Sequence, residues 1–365
     1  MRGVLCLEDG FSVQGELLNH HGETFGEVVF FTGMTGYEDA LTDPSYCGQI
    51  LVFTFPMIGT YGLPPGSGQS PRMMVRGMVA RDIWDGPADD SVTPLRCGLE
   101  AGGCPAIYGV NTRELVLHLR THGCKKGVIA TIPKEGLGPE EVARLSSRAA
   151  VFDMRRVVEE VACKQVEVEG EHGPVQGTCV LVDFGVKSRI TKELLDLGYR
   201  VVRVPPETTA RDILAWNPAC VMLSNGPGDP EDNLRSIETA GALLGEVPLF
   251  GICLGHQIIA KAAGARIIKL KYGHHGANHP VKDLGTGRAF VTSQNHNYAV
   301  DDGSLPPNAS ITYRNLNDGT VEGMEIRSQA GGKVLAASLQ FHPEGAAGPL
   351  YQQFWARLEG GHVHA

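Results

Sequence analysis

Cys253 is the residue of this chain whose neighbours best suit a nucleophile. Residues 247–250 form an apolar run, residues 251–255 read Gly-Ile-Cys-Leu-Gly, and an apolar helical pattern covers 258–263. This order is the thiol counterpart of the nucleophile elbow, in which a sharp turn between strand and helix raises the side chain above a sheet. Unpaired N–H groups at the helix start favour the thiolate. We therefore expect an exposed, activated sulfur; the alternative is a buried structural cysteine.

His342 and Glu344 are the candidates for the base that a cysteine nucleophile needs and for the group that orients this base. They follow the apolar run 334–341, which predicts a buried strand. Ligands bind at the carboxyl ends of parallel strands, and a nearby carboxylate can hold an imidazole in place. A lone histidine at a strand end is more often structural, but its pairing with the elbow favours catalysis.

A glycine-rich loop offers N–H donors for the oxyanion of an acyl-transfer intermediate. Residues 224–230 read Ser-Asn-Gly-Pro-Gly-Asp-Pro, directly after a predicted strand. Because Pro227 has no N–H, the N–H groups of Gly228 and Leu254 are the predicted pair. Gln257 shares the helical face of the nucleophile and could reach a ligand above the sulfur. The alternatives are a plain turn for the loop and an exposed helical position for the glutamine.

The elements around these residues predict a parallel sheet. The pattern gives strands at 178–183, 200–204 and 220–224, and a helix at 188–197. Strands that alternate with helices in this way predict an α/β domain whose parallel sheet is covered by helices.

The first part of the chain has short strand-like runs and turns, which predict an α+β domain. One helix is predicted from its N-cap Asn111, with Glu114 three residues later, to Gly123. Charge is concentrated between the two parts, which indicates a linker or an exposed edge. The predicted domains are an N-terminal α+β domain over 1–150, a linker over 151–176 and an α/β domain over 177–360.

Composition limits the function classes. A chain of 365 residues exceeds one ordinary core and predicts two domains. The net charge of −9 argues against a nucleic-acid partner, and no apolar run is long enough for a membrane span. We see no secretory signal at the acidic start. Nine scattered cysteines without a Cys-x-x-Cys pair argue against disulfides and a zinc ribbon, and so favour a cytoplasmic location.

Three motifs in register make the C-terminal half resemble the class I, triad-type glutamine amidotransferases. These motifs are 251–257, 224–230 and 342–344. More narrowly, the chain resembles the small, glutaminase chain of carbamoyl phosphate synthetase. That likeness extends over nearly the full length and is carried by 32–37, 41–46, 271–281 and 294–296.

The resemblance implies that Cys253 attacks the amide of L-glutamine, that His342 shuttles protons and that Glu344 orients it, so that a glutamyl thioester forms and is hydrolysed. It also implies a set of glutamine contacts. These come from Ser45, Gly226, Gly228, Leu254, Gln257, Asn295, Asn297 and Tyr298. The pair at 297 and 298 is Asn-Tyr where the family commonly has Gly-Phe. The backbone contact is kept if Asn297 adopts a left-handed conformation, which Asn tolerates better than most residues.

The histidines at 274, 275 and 279 are not expected to bind a metal, because no nearby cysteine or carboxylate completes a ligand set. We expect their loop to pack against the glutamine pocket. No nucleotide-phosphate loop of the Gly-x-x-x-x-Gly-Lys-[Ser/Thr] type is present, so chemistry with ATP is expected elsewhere.

The resemblance implies a partner, the large synthetase chain, which makes carbamoyl phosphate from bicarbonate and ATP for the pyrimidine and arginine pathways. ATP and Mg are then expected in the partner, and no cofactor in this chain. Two alternatives stay open. One is a glutaminase subunit of another synthetase, such as those for anthranilate or guanylate, which lack the N-terminal motifs. The other is a regulatory subunit that senses glutamine without hydrolysing it.

Overall fold

The chain forms two compact units. The computed structural model describes residues 1–19, 22–86, 91–133, 136–170, 176–328 and 332–345. The first unit consists of Met1–Val157 with Lys271–Gly276, and the second of Val158–Leu270 with the residues from Ala277 onward. The predicted domain boundaries at 150 and 177 stay predictions, and the predicted end at 360 lies outside the described residues.

The first unit is built on a closed β-barrel with the strand order β1-β2-β8-β6-β4-β3-β9, and β5 pairs separately with β7. Its strands are β1 (Arg2–Leu7), β2 (Ser12–Leu18), β3 (Glu23–Phe31), β4 (Gln49–Phe53), β5 (Met57–Ile58), β6 (Gly77–Val79), β7 (Asp82–Ile83), β8 (Ala106–Tyr108) and β9 (Lys125–Thr131). Its helices are α1 (Tyr37–Thr42), α2 (Leu95–Ala101), α3 (Thr112–His122) and α4 (Pro139–Ala150). The predicted mixture of strands and helices is confirmed.

Helix α3 begins and ends where the sequence predicts. The Asn111 side chain accepts a hydrogen bond from the Glu114 N–H at 3.3 Å, and Gly123, with φ +88°, ends the helix. Leu115 and Leu119 share one face and are fully buried in the barrel core. Because the capping residue and the apolar face both indicate the same helix, local sequence alone is sufficient to place it.

The second unit is a ten-stranded sheet with the order β10-β12-β11-β13-β14-β19-β18-β17-β15-β16. Its strands are β10 (Glu167–Glu169), β11 (Gly177–Val182), β12 (Tyr199–Val204), β13 (Cys220–Leu223), β14 (Leu249–Ile252), β15 (Ile267–Asp283), β16 (Ala289–Val300), β17 (Ala309–Asn315), β18 (Val321–Arg327) and β19 (Val334–Leu339). Its helices are α5 (Val157–Val161), α6 (Ser188–Asp196), α7 (Ala210–Leu214), α8 (Leu234–Leu243) and α9 (Leu254–Ala262).

Strands β12, β11, β13, β14 and β19 are parallel, as predicted for the helix-covered sheet. Side chains of β11 alternate between two apolar clusters. Val180 packs with Ile258 of α9 on one face, and Leu181 packs with Ile190 of α6 on the other. Burial on both faces explains why these strands read as continuous apolar runs. Because the strands are parallel, their carboxyl ends lie at one edge of the sheet, and the candidate catalytic residues follow these ends.

Among the described residues, we find no helix with the length and apolar character needed to cross a bilayer.

Candidate active site

Cys253 occupies the turn between β14 and α9. Its backbone has φ +54° and ψ −103°, a conformation that residues other than glycine rarely adopt. The predicted elbow is therefore present. The predicted exposure is wrong, because Cys253 is only 2% exposed. Strand β16 covers the sulfur, and the thiol donates a hydrogen bond to the Asn295 carbonyl, with Sγ and O 3.4 Å apart.

The two glycines beside the nucleophile are required by close packing. A Cβ on Gly255 would lie 2.1 Å from the Leu223 carbonyl oxygen, and a Cβ on Gly251 would lie 2.6 Å from the carbonyl carbon of Gly255. The Gly255 N–H donates to the Ser224 carbonyl at 3.0 Å. The first turn of α9 thus rests directly on the ends of β13 and β14, which holds Cys253 at the carboxyl edge of the sheet.

His342 and Glu344 form a buried pair directly after β19. Nδ1 of His342 is 2.7 Å from Oε1 of Glu344, and both side chains are 1% exposed. Because an ionised carboxylate can only accept, the proton of the neutral imidazole lies on Nδ1. Nε2 then carries a lone pair, and it has no hydrogen-bond partner among the described residues. This is the arrangement of a base that is held by one nitrogen and works through the other.

Cys253 and His342 are held against the same stretch of β16. The Cys253 thiol contacts the Asn295 carbonyl, and the His342 N–H donates to the Ser293 carbonyl at 2.9 Å. Two residues of a strand span about 7 Å. The Cys253 N–H also donates to the Leu339 carbonyl at 2.8 Å, which extends the pairing of β14 with β19. The structure thus places the predicted nucleophile and the backbone of the predicted base on one stretch of β16.

The charge of Glu344 is stabilised by Lys187 and by the hydrogen bond with His342. Nζ of Lys187 lies 3.4 Å from Oε1 of Glu344, and the lysine side chain is 8% exposed. Burial alone would raise the pKa of Glu344, but the charges of His342 and Lys187, together with the His342 hydrogen bond, lower it to about 2. The carboxylate is therefore ionised at neutral pH.

Lys187 is a member of the site that sequence reasoning missed. It follows β11, and two neighbouring loops fix its backbone. The Asn225 side chain accepts from the Lys187 N–H at 3.1 Å and donates to the Gly185 carbonyl at 2.9 Å. Asp183 accepts from the N–H groups of Gly185 and Val186, both at 2.8 Å. The signal that could have revealed Lys187 is its position at the carboxyl end of a parallel strand, beside the other strand ends.

The predicted oxyanion donors lie on elements at this same edge. Leu254 is the first residue of α9, so its N–H is one of the four that lack an intrahelical acceptor. Gly228 adopts φ +90°, which only glycine takes without strain. A Cβ on Gly226 would lie 2.4 Å from the Phe184 carbonyl oxygen, so this loop packs tightly on the loop after β11.

Gln257 is buried, which makes the alternative of an exposed helical glutamine wrong. Its side chain NH₂ donates to the Tyr298 carbonyl and to Oε1 of Gln340, both at 3.0 Å. Asn295, Asn297 and Tyr298 all belong to β16. The left-handed conformation that would keep the backbone contact of Asn297 is not present, because its φ is not positive and the residue continues the strand.

Ser45 and the segment 271–276 belong to the first unit. Ser45 lies in a single 3₁₀ turn, is 4% exposed, and donates its N–H to the Asp43 carboxylate at 2.8 Å. The expectation of a loop at the histidines is wrong, because 271–276 is part of strand β15. There the His275 carbonyl accepts from the Thr32 N–H at 3.0 Å. The glutamine contact of Ser45, the packing of this segment against the glutamine pocket and the absence of a metal stay predictions.

Two family models match the chain, one in each half. Residues 180–357 match the family described as glutamine amidotransferase class-I, and residues 5–129 match the carbamoyl-phosphate synthase small chain, CPSase domain. Together with the helix-covered parallel sheet and the cysteine elbow, the first match defines a class I glutamine amidotransferase domain. The second match identifies the kind of chain that carries this domain.

Curated relatives match over nearly the full length. The chain is similar to the carbamoyl phosphate synthase small chains of Symbiobacterium thermophilum (44% identity, covering 97% of this chain and 98% of that one) and Akkermansia muciniphila (42%, covering 98% and 96%). A third, from Methanopyrus kandleri, is 44% identical and covers 96% of this chain and 95% of its own. The chain belongs to the family of carbamoyl phosphate synthase small chains.

Proposed function

We propose that this chain hydrolyses L-glutamine to glutamate and ammonia, with Cys253 as nucleophile, His342 as base and Glu344 as the group that orients it. The observation that carries the proposal is the buried His342–Glu344 pair, which leaves Nε2 of the imidazole without a partner among the described residues, while His342 and the strained cysteine elbow both bond to β16. The regulatory alternative is less well supported, because binding glutamine alone would need neither the elbow nor the oriented imidazole.

The first half of the reaction forms a thioester. Nε2 of His342 takes the thiol proton of Cys253, and the sulfur attacks the amide carbon of glutamine. The N–H groups of Gly228 and Leu254 stabilise the oxyanion of the tetrahedral intermediate. His342 then gives its proton to the amide nitrogen, and the carbon–nitrogen bond breaks. Ammonia is released, and a glutamyl thioester remains on Cys253.

The second half releases glutamate. Nε2 of His342 removes a proton from water, the resulting hydroxide attacks the thioester carbon, and the carbon–sulfur bond breaks. The proton returns to the sulfur, so the thiol of Cys253 is regenerated. In both halves His342 passes through the imidazolium form, which the ionised Glu344 stabilises through the hydrogen bond to Nδ1.

The glutamine contacts are proposed for the residues that the family resemblance implies. These are Ser45, Gly226, Gly228, Leu254, Gln257, Asn295, Asn297 and Tyr298. Both N–H groups of the Gln257 amide are used within the protein, so we propose that Gln257 meets glutamine through its Oε1. Asn297, in an extended conformation, would offer a backbone group of a strand rather than of a turn.

We further propose that the ammonia passes to a large synthetase chain. The names of the relatives support this partner, since each is a small chain of carbamoyl phosphate synthase. Free ammonia becomes mostly ammonium in neutral water, which has no lone pair for attack, so an enclosed path to the partner is expected. In this scheme ATP and Mg act in the large chain, this chain holds no cofactor, and the assembly is cytoplasmic.

Glutamate release by the purified chain, with and without a co-purified large chain, tests the proposal. We expect release by the wild type, loss of release in Cys253→Ala, and little change in Cys220→Ala, which removes another buried cysteine of the same sheet. Carbamoyl phosphate should form from glutamine only when both chains and ATP are present. No glutamate release by the wild type in any condition would instead support the regulatory alternative. Hydrolysis without carbamoyl phosphate would support another synthetase partner.

A further inference from the structure

A buried histidine that the proposed reaction does not use lies one helical turn after the nucleophile. His256 is 0% exposed, and its Nδ1 is 2.8 Å from Oγ of Ser338, which is itself 1% exposed. Nε2 of His256 has no hydrogen-bond partner among the described residues. A buried polar atom without a partner destabilises a fold, and an apolar side chain would avoid this penalty. The imidazole therefore needs an explanation, and the contact with Ser338 provides one.

The contact joins the helix that follows the nucleophile to the strand that precedes the base. Ser338 lies on β19, four residues before His342, and pairs directly with Gly251 of β14. A Cβ on Gly251 would lie 2.8 Å from the His256 backbone nitrogen. Because Gly251 has no side chain, the first turn of α9 packs directly against β14. The His256 imidazole can then contact Ser338 on the neighbouring strand, β19.

Backbone pairing between β14 and β19 ends at Cys253 and does not tie helix α9 to β19. β14 and β19 are joined by a backbone ladder up to the Cys253 N–H; beyond it the chain of β14 enters α9, whereas the chain of β19 goes on to pair through the His342 N–H with Ser293 of β16. The hydrogen bond between the His256 imidazole and Ser338 links helix α9 directly to β19. Side-chain bonds of this kind fix the geometry that a reaction needs within fractions of an ångström.

We propose that the hydrogen bond between His256 and Ser338 is a positioning device that holds Cys253 in register with His342 for the proposed glutaminase reaction. His256 is a positioning residue and does not touch glutamine. This inference rests on the proposed function. It assigns to the histidine of the Gly-His-Gln sequence a role that is separate from the glutamine contact of its neighbour Gln257.

The test is a set of variants in the complex with the large chain, measured by glutamate release. Ser338→Ala and His256→Leu should each lower kcat about tenfold, with KM for glutamine within about twofold of wild type. His256→Asn should recover most of the loss, because an Asn amide can place a polar atom where Nδ1 stood. The double variant Ser338→Ala, His256→Leu should have a kcat no lower than that of either single variant, since both changes remove the same hydrogen bond.

The matched control is Ser236→Ala, which removes another buried serine hydroxyl of the second unit, one that donates to the Pro206 carbonyl at 2.8 Å. It should lower stability without changing kcat. A second readout is the rate of Cys253 alkylation by iodoacetamide against pH. If the device holds the thiol near the imidazole, Ser338→Ala should move this profile to higher pH, and Ser236→Ala should not.

Several outcomes would overturn the inference. These are an unchanged kcat in Ser338→Ala, a failure of His256→Asn to recover activity, or additive losses in the double variant. If Ser338→Ala does not fold, the comparison of His256→Asn with His256→Leu still decides. A wild type that releases no glutamate would defeat the proposed function itself, whereas an active wild type with an equally active Ser338→Ala defeats only the positioning role.

Discussion

Nζ of Lys187 lies 3.4 Å from the carboxylate of Glu344, and both side chains are buried. The lysine comes from the loop after β11, the first parallel strand of the second unit's sheet in sequence, and the carboxylate from the turn after β19, the last. Together with His342 they form a buried row of alternating charge when the imidazole is protonated. The row stabilises the ionised carboxylate, and the carboxylate in turn stabilises the imidazolium.

Replacing Lys187 with Met should therefore weaken the base. Without the lysine charge, burial raises the pKa of Glu344, and its carboxylate stabilises the imidazolium less. We expect kcat for glutamate release to fall about tenfold at neutral pH, with part of the loss recovered by Lys187→Arg. Lys261→Met is the control, since that lysine pairs with Glu231 at the surface of α9. Equal activity of Lys187→Met and wild type would contradict the proposed role.

Replacing Glu344 with Gln should lower kcat for glutamate release more than replacing Lys187 does. The amide can donate to Nδ1 of His342 and so favour the wrong tautomer, in which Nε2 carries the proton and cannot act as a base. We expect kcat to fall by about 10³-fold, with a smaller effect on KM. Glu325→Gln alters another buried carboxylate of the same sheet, which pairs with Arg327, and should keep its activity. A loss of less than about threefold in Glu344→Gln would show that the carboxylate is not needed to orient the imidazole.

The depressed pKa of Glu344 should also appear in stability. Its folded-state pKa is about 2, below the usual value of about 4.3. The ionised carboxylate therefore stabilises the fold at pH values above about 4.3, and this stabilisation is lost as the pH falls through 2. Urea unfolding of wild type and Glu344→Gln between pH 2 and 7 measures it. The gap in unfolding free energy should be constant above about pH 5 and shrink below it; a gap that does not change with pH would contradict the assignment.

His256 should add a second pH dependence, at higher pH. Burial lowers its pKa to about 3, so the folded protein keeps the imidazole neutral while the unfolded chain binds a proton below about 6.5. The stability from the neutral form is complete above about pH 6.5 and falls as pH drops towards 3. Because His256→Asn removes this titration, its unfolding free energy should depend less on pH between 6.5 and 4 than that of wild type. Parallel curves would refute the buried neutral state.

Gly255 should not tolerate even a methyl group. A Cβ there would lie 2.1 Å from the carbonyl oxygen of Leu223, so the elbow or the end of β13 must move. We expect Gly255→Ala to destabilise the chain by at least about 2 kcal/mol and to abolish glutamate release. Gly241→Ala, inside α8 with space around it, should stabilise by up to about 1 kcal/mol through helix propensity. Thermal unfolding of both variants compares the two effects.

Features that depend on local pattern could be predicted from the sequence. The cap at Asn111, the parallel strands and the glycine-flanked turn at Cys253 are each encoded within a few residues, by capping, apolar runs or the need for a tight turn. The pairing of His342 with Glu344 is likewise local, because only one residue separates them. These predictions agree with the structure for that reason.

Features that depend on contacts between distant segments could not be predicted. Lys187 reaches Glu344 only because β11 and β19 end at the same edge of the sheet. The Cys253 sulfur is buried because β16, which follows it in the chain, returns to cover it. Asn297 is extended because it pairs within that strand, although Asn alone tolerates a left-handed turn. His256 meets Ser338 only because Gly251 leaves space between them.

A search for the glutamyl thioester tests most directly whether Cys253 is the nucleophile. Wild-type protein mixed with glutamine is quenched in acid within the first turnovers, digested, and analysed by mass spectrometry. We expect a glutamyl thioester adduct on the peptide that carries Cys253, and no thioester adduct in Cys253→Ser. Glutamate release at the wild-type rate by Cys253→Ser, or an adduct on a different cysteine, would contradict this expectation.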